Sequence, residues 1–338
     1  GILAGQNFNS VLTGDQSILK RPMKRITEPL NMMGFSVTSQ KDGTPPLEIF
    51  KVGQASSIDY ELPVASAQVK SCLMFAALYA NGTSTIHENS QTRDHTERMF
   101  KKFGIPIDVI QSKIIKTISI TPPKEIKPCN IEICGDFSSA AFFILAAIIT
   151  PNSHLVIKNV GVNNTRIGFL TALREMGGYV DIQNISGEYE PTADIEVKTS
   201  KLKGINLDPK LVSNIIDELP VLFIAAALAE GETKIKGVKE LRMKESDRLE
   251  SMTKSLELFG VPFTLSDDAV DIIGLNQPTF SQNSGKLFED AEIDSFGDHR
   301  VAMACAIGAL RSKGPCRVRN CANVATSFPT FLKISDQL

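Results

Sequence analysis

Residues 222–238 read LFIAAALAEGETKIKGV: an apolar run, a turn at Gly231-Glu232, and an alternating segment from Thr233. The run suits a buried helix, the glycine a turn, and the alternation a strand with one covered face. The same helix, turn and strand recur as CLMFAALYANGTSTIHE from Cys72, FFILAAIITPNSHLVIKNV from Phe142 and AMACAIGALRSKGPCRVRN from Ala302. A second, amphipathic helix follows in most copies and ends at a glycine before another strand: NMMGFSVTS, KKFGIPIDVI, REMGGYVDIQ and ELFGVPFTLS. Glycine supplies the left-handed conformation that closes a helix. These stops, Gly34, Gly104, Gly177 and Gly260, are separated by 70, 73 and 83 residues, a period that implies repeated α/β modules.

The opening GILAGQNFNSVLTGD matches the tail of an apolar helix with its turn and strand, so the chain is expected to start inside a repeat and to lack an N-terminal segment. An atypical capping repeat is the alternative. A length of 338 residues suits two domains. The apolar fraction of 42%, charged fraction of 22% and net charge of −2 give no reason to expect nucleic acid or an anionic membrane as partner. The longest apolar stretches, Ala140 to Ile149 and Leu219 to Ala229, fall short of the roughly 18 residues of a membrane span and read as buried helices. Six cysteines, at 72, 129, 134, 305, 316 and 321, form no C-x-x-C pair, which suits reduced thiols in a cytoplasm.

Cations gather where helices are expected to begin. Lys20, Arg21, Lys24 and Arg25 surround Pro22; Ser66 can cap a helix carrying Lys70; Arg242, Lys244 and Arg248 stand around the start of a helix running to about Phe259; and Asp298 can cap ahead of His299 and Arg300. A cation near unpaired helix N–H groups is unfavourable unless an anion lies between them. The pattern points to a polyanionic ligand, against the alternative of solvated surface residues. Asp217 and Glu245 stand among these cations as acid or base candidates. Read alone, Asp217 is better taken as a helix cap before Pro220, and Glu245 as an ordinary first-turn acid. His95 and His299 belong to no metal-ligand cluster, and His87 and His154 sit in or beside expected strands. No Gly-rich nucleotide-phosphate loop is present.

Taken together, LTGDQSILKRPM from Leu12, SAQVKS from Ser66, TRDHTERM from Thr92, GDFSSAAFF from Gly135, IIDELP from Ile215, LRMKESDRL from Leu241, GDHRVAMA from Gly297 and ATSFPTF from Ala325 resemble, in order, the enolpyruvyl transferases of the branch acting on shikimate 3-phosphate. The resemblance covers essentially the whole chain. It implies an α/β fold: a two-domain inside-out α/β prism built of repeated βαβαββ units, the first unit largely missing. Residues 1–132 would form an N-terminal domain with about two of its three units, and residues 133–338 a C-terminal domain with three. SAQ-V-K at Ser66 to Lys70, R-D-H-T-E at Arg93 to Glu97 and N-N-T-R at Asn163 to Arg166 resemble the class II, typically glyphosate-tolerant, forms. Thr326, standing where the other branch has a phosphate-binding lysine, agrees with that; Phe137 departs from the small or proline residue frequent in the G-D-x-S-S segment.

The implied reaction adds the 5-hydroxyl of shikimate 3-phosphate to C2 of phosphoenolpyruvate and then expels phosphate, with no cofactor and no metal. By resemblance, Asp217 is the general base and Glu245 transfers protons at C3. Ser66, Ala67, Gln68, Arg93, Asp217 and Lys244 would bind shikimate 3-phosphate, and Arg21, Gln68, Arg248 and Arg300 phosphoenolpyruvate. The family's N-terminal G-D-K-S segment and N-x-G-T loop have no counterpart. GDQS at Gly14 to Ser17 matches the first only in letters, being expected in the strand leading to Arg21. The isolated chain is therefore expected to be inactive or impaired, and a monomer. Two alternatives remain: a sister transferase acting on UDP-N-acetylglucosamine, whose catalytic cysteine is not matched by Cys72 in its apolar helix, and a module that binds ligand without chemistry.

Overall fold

The computed structural model describes residues 1–15, 18–275 and 286–337, and the chain divides into two compact units, Gly1–Glu132 and Ile133–Leu338. The first opens with β1 (Ser10–Leu12), α1 (Lys24–Met32), β2 (Ser36–Thr38) and β3 (Leu47–Phe50). It continues with β4 (Asp59–Glu61), α2 (Ala67–Ala77), β5 (Ser84–Glu88), α3 (His95–Lys102), β6 (Ile107–Gln111) and β7 (Lys116–Ile120). In the second module β4 and β5 are parallel and the β6–β7 hairpin returns antiparallel, giving the order β4-β5-β7-β6. The first module repeats that order from its second strand, as β1-β3-β2.

The second unit runs α4 (Phe137–Ile149), β8 (His154–Gly161), α5 (Gly168–Glu175), β9 (Tyr179–Ser186) and β10 (Thr192–Lys198). Next come α6 (Val212–Ile215), α7 (Leu219–Ala227), β11 (Glu232–Lys236), α8 (Arg248–Leu258), β12 (Phe263–Leu265) and β13 (Ala269–Ile273). β14 (Glu292–Asp294), α9 (His299–Ala309), β15 (Arg317–Arg319), α10 (Asn323–Ser327) and α11 (Phe331–Ser335) complete it. The strand orders β8-β10-β9 and β11-β13-β12 repeat the pattern of the first unit. Parallel bridges from Gly135 to Val160 and from Asn206 to Lys234 supply the leading strand position of each. β14 and β15 pair in parallel.

The four glycine stops behave alike. Gly34, Gly104, Gly177 and Gly260 all have φ between 67° and 89°. In each copy the next residue's N–H closes the helix onto a carbonyl five residues back: Phe35 to Leu30, Ile105 to Phe100, Gly178 to Leu173 and Val261 to Leu256, at 2.8 to 3.1 Å. That is the Schellman closure glycine permits, and it turns every amphipathic helix into the next strand at the same angle.

The apolar helices have no polar face to show solvent, so they can only be stable inside. α4, α7 and α9 pack on one another, and all nine residues of α7 are buried. The sheets lie outside them, burying alternate residues, as in β10 with Ala193, Ile195 and Val197. The helices are thus inside and the sheets outside, as the family resemblance implies. Each unit has its own core. Among the described residues no helix is long and apolar enough to cross a membrane.

Two expectations need correction. The strand preceding Arg21 ends at Leu12, so Gly14 and Asp15 lie beyond it, and Gln16 and Ser17 of the GDQS stretch lie outside the described residues. Pro22, a residue typical of a helix's first turn, sits outside α1, whose N-cap position is Met23. Phe137 is tolerated because its ring is buried in the first turn of α4.

Gly274, just past β13, donates its N–H to Gly231 O at 2.8 Å, and a methyl there would run into the carbonyl oxygens of Ala229 and Ala226. Backbone cannot yield as a side chain tip can. Gly274→Ala should therefore cost about 1–3 kcal/mol, read as a lower urea midpoint at unchanged slope.

Candidate functional site

In the second unit the three buried helices begin with acidic residues. Asp136 caps α4 by accepting from Ser139 N, and Asp298 caps α9 by accepting from Arg300 N and Val301 N. Asp217 and Glu218 directly precede α7. Negative charge is favourable there, because the helix dipole leaves partial positive charge at the N-terminus. Of the cations noticed in the sequence, Arg248 and Arg300 lie against these acids, so these helix entrances are not bare positive sites.

Arg248 is the centre of the cluster. It opens α8 and is 1% exposed. Its Nε donates to Asp298 Oδ2 at 2.8 Å, its Nη1 to Asp217 Oδ1 at 3.3 Å, and its Nη2 to Glu245 Oε2. Burial works against its charge, but Asp298, Glu245 and Asp217 outweigh burial and hold the guanidinium above its ordinary pKa. Arg300 reaches Asp217 as well, from α9, with Nη1 donating to Asp217 O at 3.2 Å and Nη2 lying 3.7 Å from Asp217 Oδ2. Beside it, burial and then the Arg300 charge push the His299 imidazole below its usual pKa. Asp217, Glu245, Arg248 and Arg300 are therefore one linked set.

The plainer readings of both carboxylates fail. α7 starts at Leu219 with Glu218 as its cap, so Asp217 lies one residue too early to cap it. Glu245 lies between the 3₁₀ turn Lys239–Met243 and the Asp247 cap of α8, outside that helix's first turn. The Lys244 ammonium pairs with Glu240 Oε1 at 2.8 Å, four residues back. Arg242 braces the turn, donating to Asp247 Oδ2 at 2.8 Å and to the carbonyls of Asp267 and Ser266.

In the first unit, Ser66 caps α2, its Oγ accepting from Val69 N at 3.4 Å. Ala67 and Gln68 form the first turn, whose leading N–H groups have no partner within the helix. Arg93 is half-buried in the turn before α3. A buried charge network joins these two places. Lys70 Nζ lies 2.8 Å from Glu97 Oε1 and 3.3 Å from Glu88 Oε2. Lys116 Nζ approaches the same carboxylates at 3.0 and 3.6 Å. Glu88 Oε1 also accepts from Thr92 N at 2.6 Å, and Ser71 Oγ meets Thr96 Oγ1 at 2.6 Å. Lys70 is thus fully buried and committed to carboxylates, not presented to a ligand, because a buried ammonium costs too much unless paired. Arg21 is carried by another element, half-buried between the 3₁₀ turn Ile18–Lys20 and α1.

Sequence reasoning missed several members of these clusters. Glu88 and Lys116 carry no local signal, since they meet only when β5 pairs with β7. Asp298 was legible as a cap, but not as the anchor of an arginine 50 residues away. Ser138, Arg166 and Glu218 also converge: Arg166 Nη2 donates to Ser138 Oγ at 2.7 Å, and Ser138 Oγ lies against Glu218 Oε1.

Comparison with known proteins gives this geometry a family. The chain matches the EPSP synthase (3-phosphoshikimate 1-carboxyvinyltransferase) family model over residues 1–334. It is 46% identical over 340 residues to the 3-phosphoshikimate 1-carboxyvinyltransferase of Legionella pneumophila strain Lens, spanning 100% of this chain and 75% of that protein. The corresponding protein of Coxiella burnetii strain CbuK_Q154 is 44% identical over 339 residues, spanning 100% and 74%. Among solved structures, EPSP synthase from Acinetobacter baumannii superposes with a TM-score of 0.86 at 42% identity, covering 99% of this chain and 76% of that one. The enolpyruvyl transferase NikO from Streptomyces tendae shares the fold, with a TM-score of 0.74 at 15% identity over 99% and 74% of the two chains. With a family match along nearly its whole length and relatives at this identity, the chain belongs to the EPSP synthase family.

Proposed function

We propose that the linked set at the start of α7, α8 and α9 carries the chemistry of enolpyruvyl transfer from phosphoenolpyruvate to the 5-hydroxyl of shikimate 3-phosphate. The observation that carries this reading is the pair of carboxylates, Asp217 and Glu245, held on one buried guanidinium, that of Arg248. Asp217 takes the hydroxyl proton as oxygen attacks C2, and Glu245 gives a proton to C3. Phosphate then leaves the tetrahedral intermediate, C3 loses a proton, and the vinyl group is restored. Protons and charge balance without a cofactor.

The charges in the cluster suit this division of labour. Arg248 and Arg300 face three carboxylates, those of Asp217, Glu245 and Asp298. The first step needs Glu245 to carry the proton that goes to C3. An arriving phosphoenolpyruvate anion competes for guanidinium N–H groups that Asp217 and Glu245 occupy, and a carboxylate released from its cation is a stronger base. Substrate binding and base activation are then one event. Arg248 and Arg300 bind the phosphoenolpyruvate anion. Lys244, released from Glu240, is within the same turn as Glu245 and serves the hydroxyls of shikimate 3-phosphate.

In the first unit Ser66, Ala67, Gln68 and Arg93 bind shikimate 3-phosphate, the phosphate being favoured at the N-terminus of α2. The Lys70–Glu88–Glu97–Lys116 network holds that turn and the Arg93 turn in fixed relation. The cysteines are free thiols, which suits a reducing compartment such as the cytoplasm.

The direct test is phosphate release from phosphoenolpyruvate with shikimate 3-phosphate as acceptor. Asp217→Asn, and separately Glu245→Gln, should each lower kcat by about 10²–10⁴-fold with little change in fold. Wild-type turnover by Asp217→Asn would remove it as the base, and phosphate release with UDP-N-acetylglucosamine alone would point to the sister reaction.

Lys70→Met leaves Glu88 and Glu97 buried against one ammonium, and should destabilise the first unit by about 3–5 kcal/mol. Lys70→Arg, which keeps the charge, should recover much of that loss. At a temperature where Lys70→Met is folded, KM for shikimate 3-phosphate should rise more than KM for phosphoenolpyruvate. Equal shifts in both constants would show that the network does not position Ser66 to Gln68 and Arg93.

A further inference from the structure

Glu218 follows the proposed base in sequence but points elsewhere. It is 1% exposed. Although it stands at the cap position of α7, its side chain makes no cap hydrogen bond. One carboxyl oxygen lies against Ser138 Oγ, and the other, Oε2, has no hydrogen-bond partner among the described residues. Arg166 Nη2 already donates to that same Ser138 oxygen at 2.7 Å. An ionised carboxylate in this place would have one hydroxyl for company and a bare oxygen in an enclosed interior, the arrangement buried charges avoid. A neutral acid is at home there, with its O–H or that of Ser138 completing the short contact.

The charged groups facing Glu218 come from several elements. Arg300 approaches from α9, Arg166 from the turn before α5, and Asp217 from the adjoining residue. Arg300 is shared with Asp217, at 3.7 Å, and Arg166 with Asp136, at 3.4 Å. Neither cation is thus given over to Glu218. Burial, then the Asp217 charge, push the Glu218 carboxyl above its usual range, and the pull of Arg300 and Arg166 does not reverse this.

We propose that Glu218 works as a neutral carboxylic acid, a positioning residue that joins the first turn of α4 to the start of α7 and leaves Asp217 the ionised carboxylate of the pair. If Glu218 ionised, a second negative charge would arise beside the base and would draw Arg300 away from Asp217 and from the incoming anion. Adjacent carboxyls in unlike surroundings divide into acid and base in this way. The inference rests on Asp217 being the base, but the state of Glu218 is measurable without it.

The experiment compares the protein with Glu218→Gln, which imitates the neutral acid in shape and charge. Infrared difference spectra of the unliganded proteins at neutral pH should show a protonated-carboxyl stretch in the wild type that Glu218→Gln lacks. Glu218→Gln should keep turnover within about threefold at neutral pH. Wild-type KM for phosphoenolpyruvate should rise relative to that of Glu218→Gln as the pH climbs, the comparison at each pH cancelling ionisation of the substrate. Stability follows the same sign: a raised carboxyl favours the fold fully below the unfolded value of 4.5 and loses that contribution as pH rises, so wild type should lose stability relative to Glu218→Gln. Absence of the difference band, or pH profiles that superimpose, would overturn the proposal. Full turnover by Asp217→Asn with the band still present would instead remove the base assignment and leave the neutral Glu218 standing.

Discussion

The buried guanidinium of Arg248 is the constraint around which the entrances of α7, α8 and α9 are arranged. Taking such a charge out of water costs several kcal/mol, and three carboxylates from three different segments meet that cost: Asp298 at α9, Asp217 before α7 and Glu245 before α8. Asp298 faces both ways, because its other oxygen accepts the N–H groups of Arg300 and Val301 and so fixes the start of α9. One ion thereby sets the positions of two helix starts and of the Asp217 and Glu245 carboxylates. The apolar helices make this possible, since only elements packed on all sides can carry an arginine to the middle of a domain.

The prism architecture follows from the same helices. α7 and α4 carry apolar residues around their full circumference, so each must be enclosed, and the alternating strands are left to form the outside. A glycine with positive φ then ends each amphipathic helix by the same closure. Repetition of one turn geometry brings the N-termini of successive buried helices to equivalent places. A fold built this way concentrates helix N-termini and their acidic caps in one region of the unit, ready to organise cations.

What could be read from the sequence was what repeats locally. The four glycine stops, the apolar runs and the Ser66 and Asp298 caps depend on a few neighbouring residues, and they stand in the structure where the pattern puts them. The Asp217 cap reading went astray by one residue, because Pro220 is tolerated at the second helical position as well as the first. Lys70 looked like a ligand-facing cation because its partners are invisible locally: Glu88, Glu97 and Lys116 come from β5, α3 and β7 and meet only in the folded unit. The sequence shows where charges are, but their pairing is settled by long-range packing.

The two charged clusters differ in a way that matches their proposed tasks. Around Lys70 two ammonium groups face two carboxylates, so that network is neutral, nearly dry and has no charge left to exchange. It can brace a binding surface without entering the reaction. Around Arg248 two guanidiniums and three carboxylates meet, so an arriving anion finds cations to compete for and carboxylates to displace. Glu218 lies close enough to Asp217 and Arg300 to add another negative charge, and burial against Ser138 is what prevents this. The same desolvation that makes Arg248 demand carboxylates makes Glu218 refuse its charge, and the proton inventory of the site depends on both.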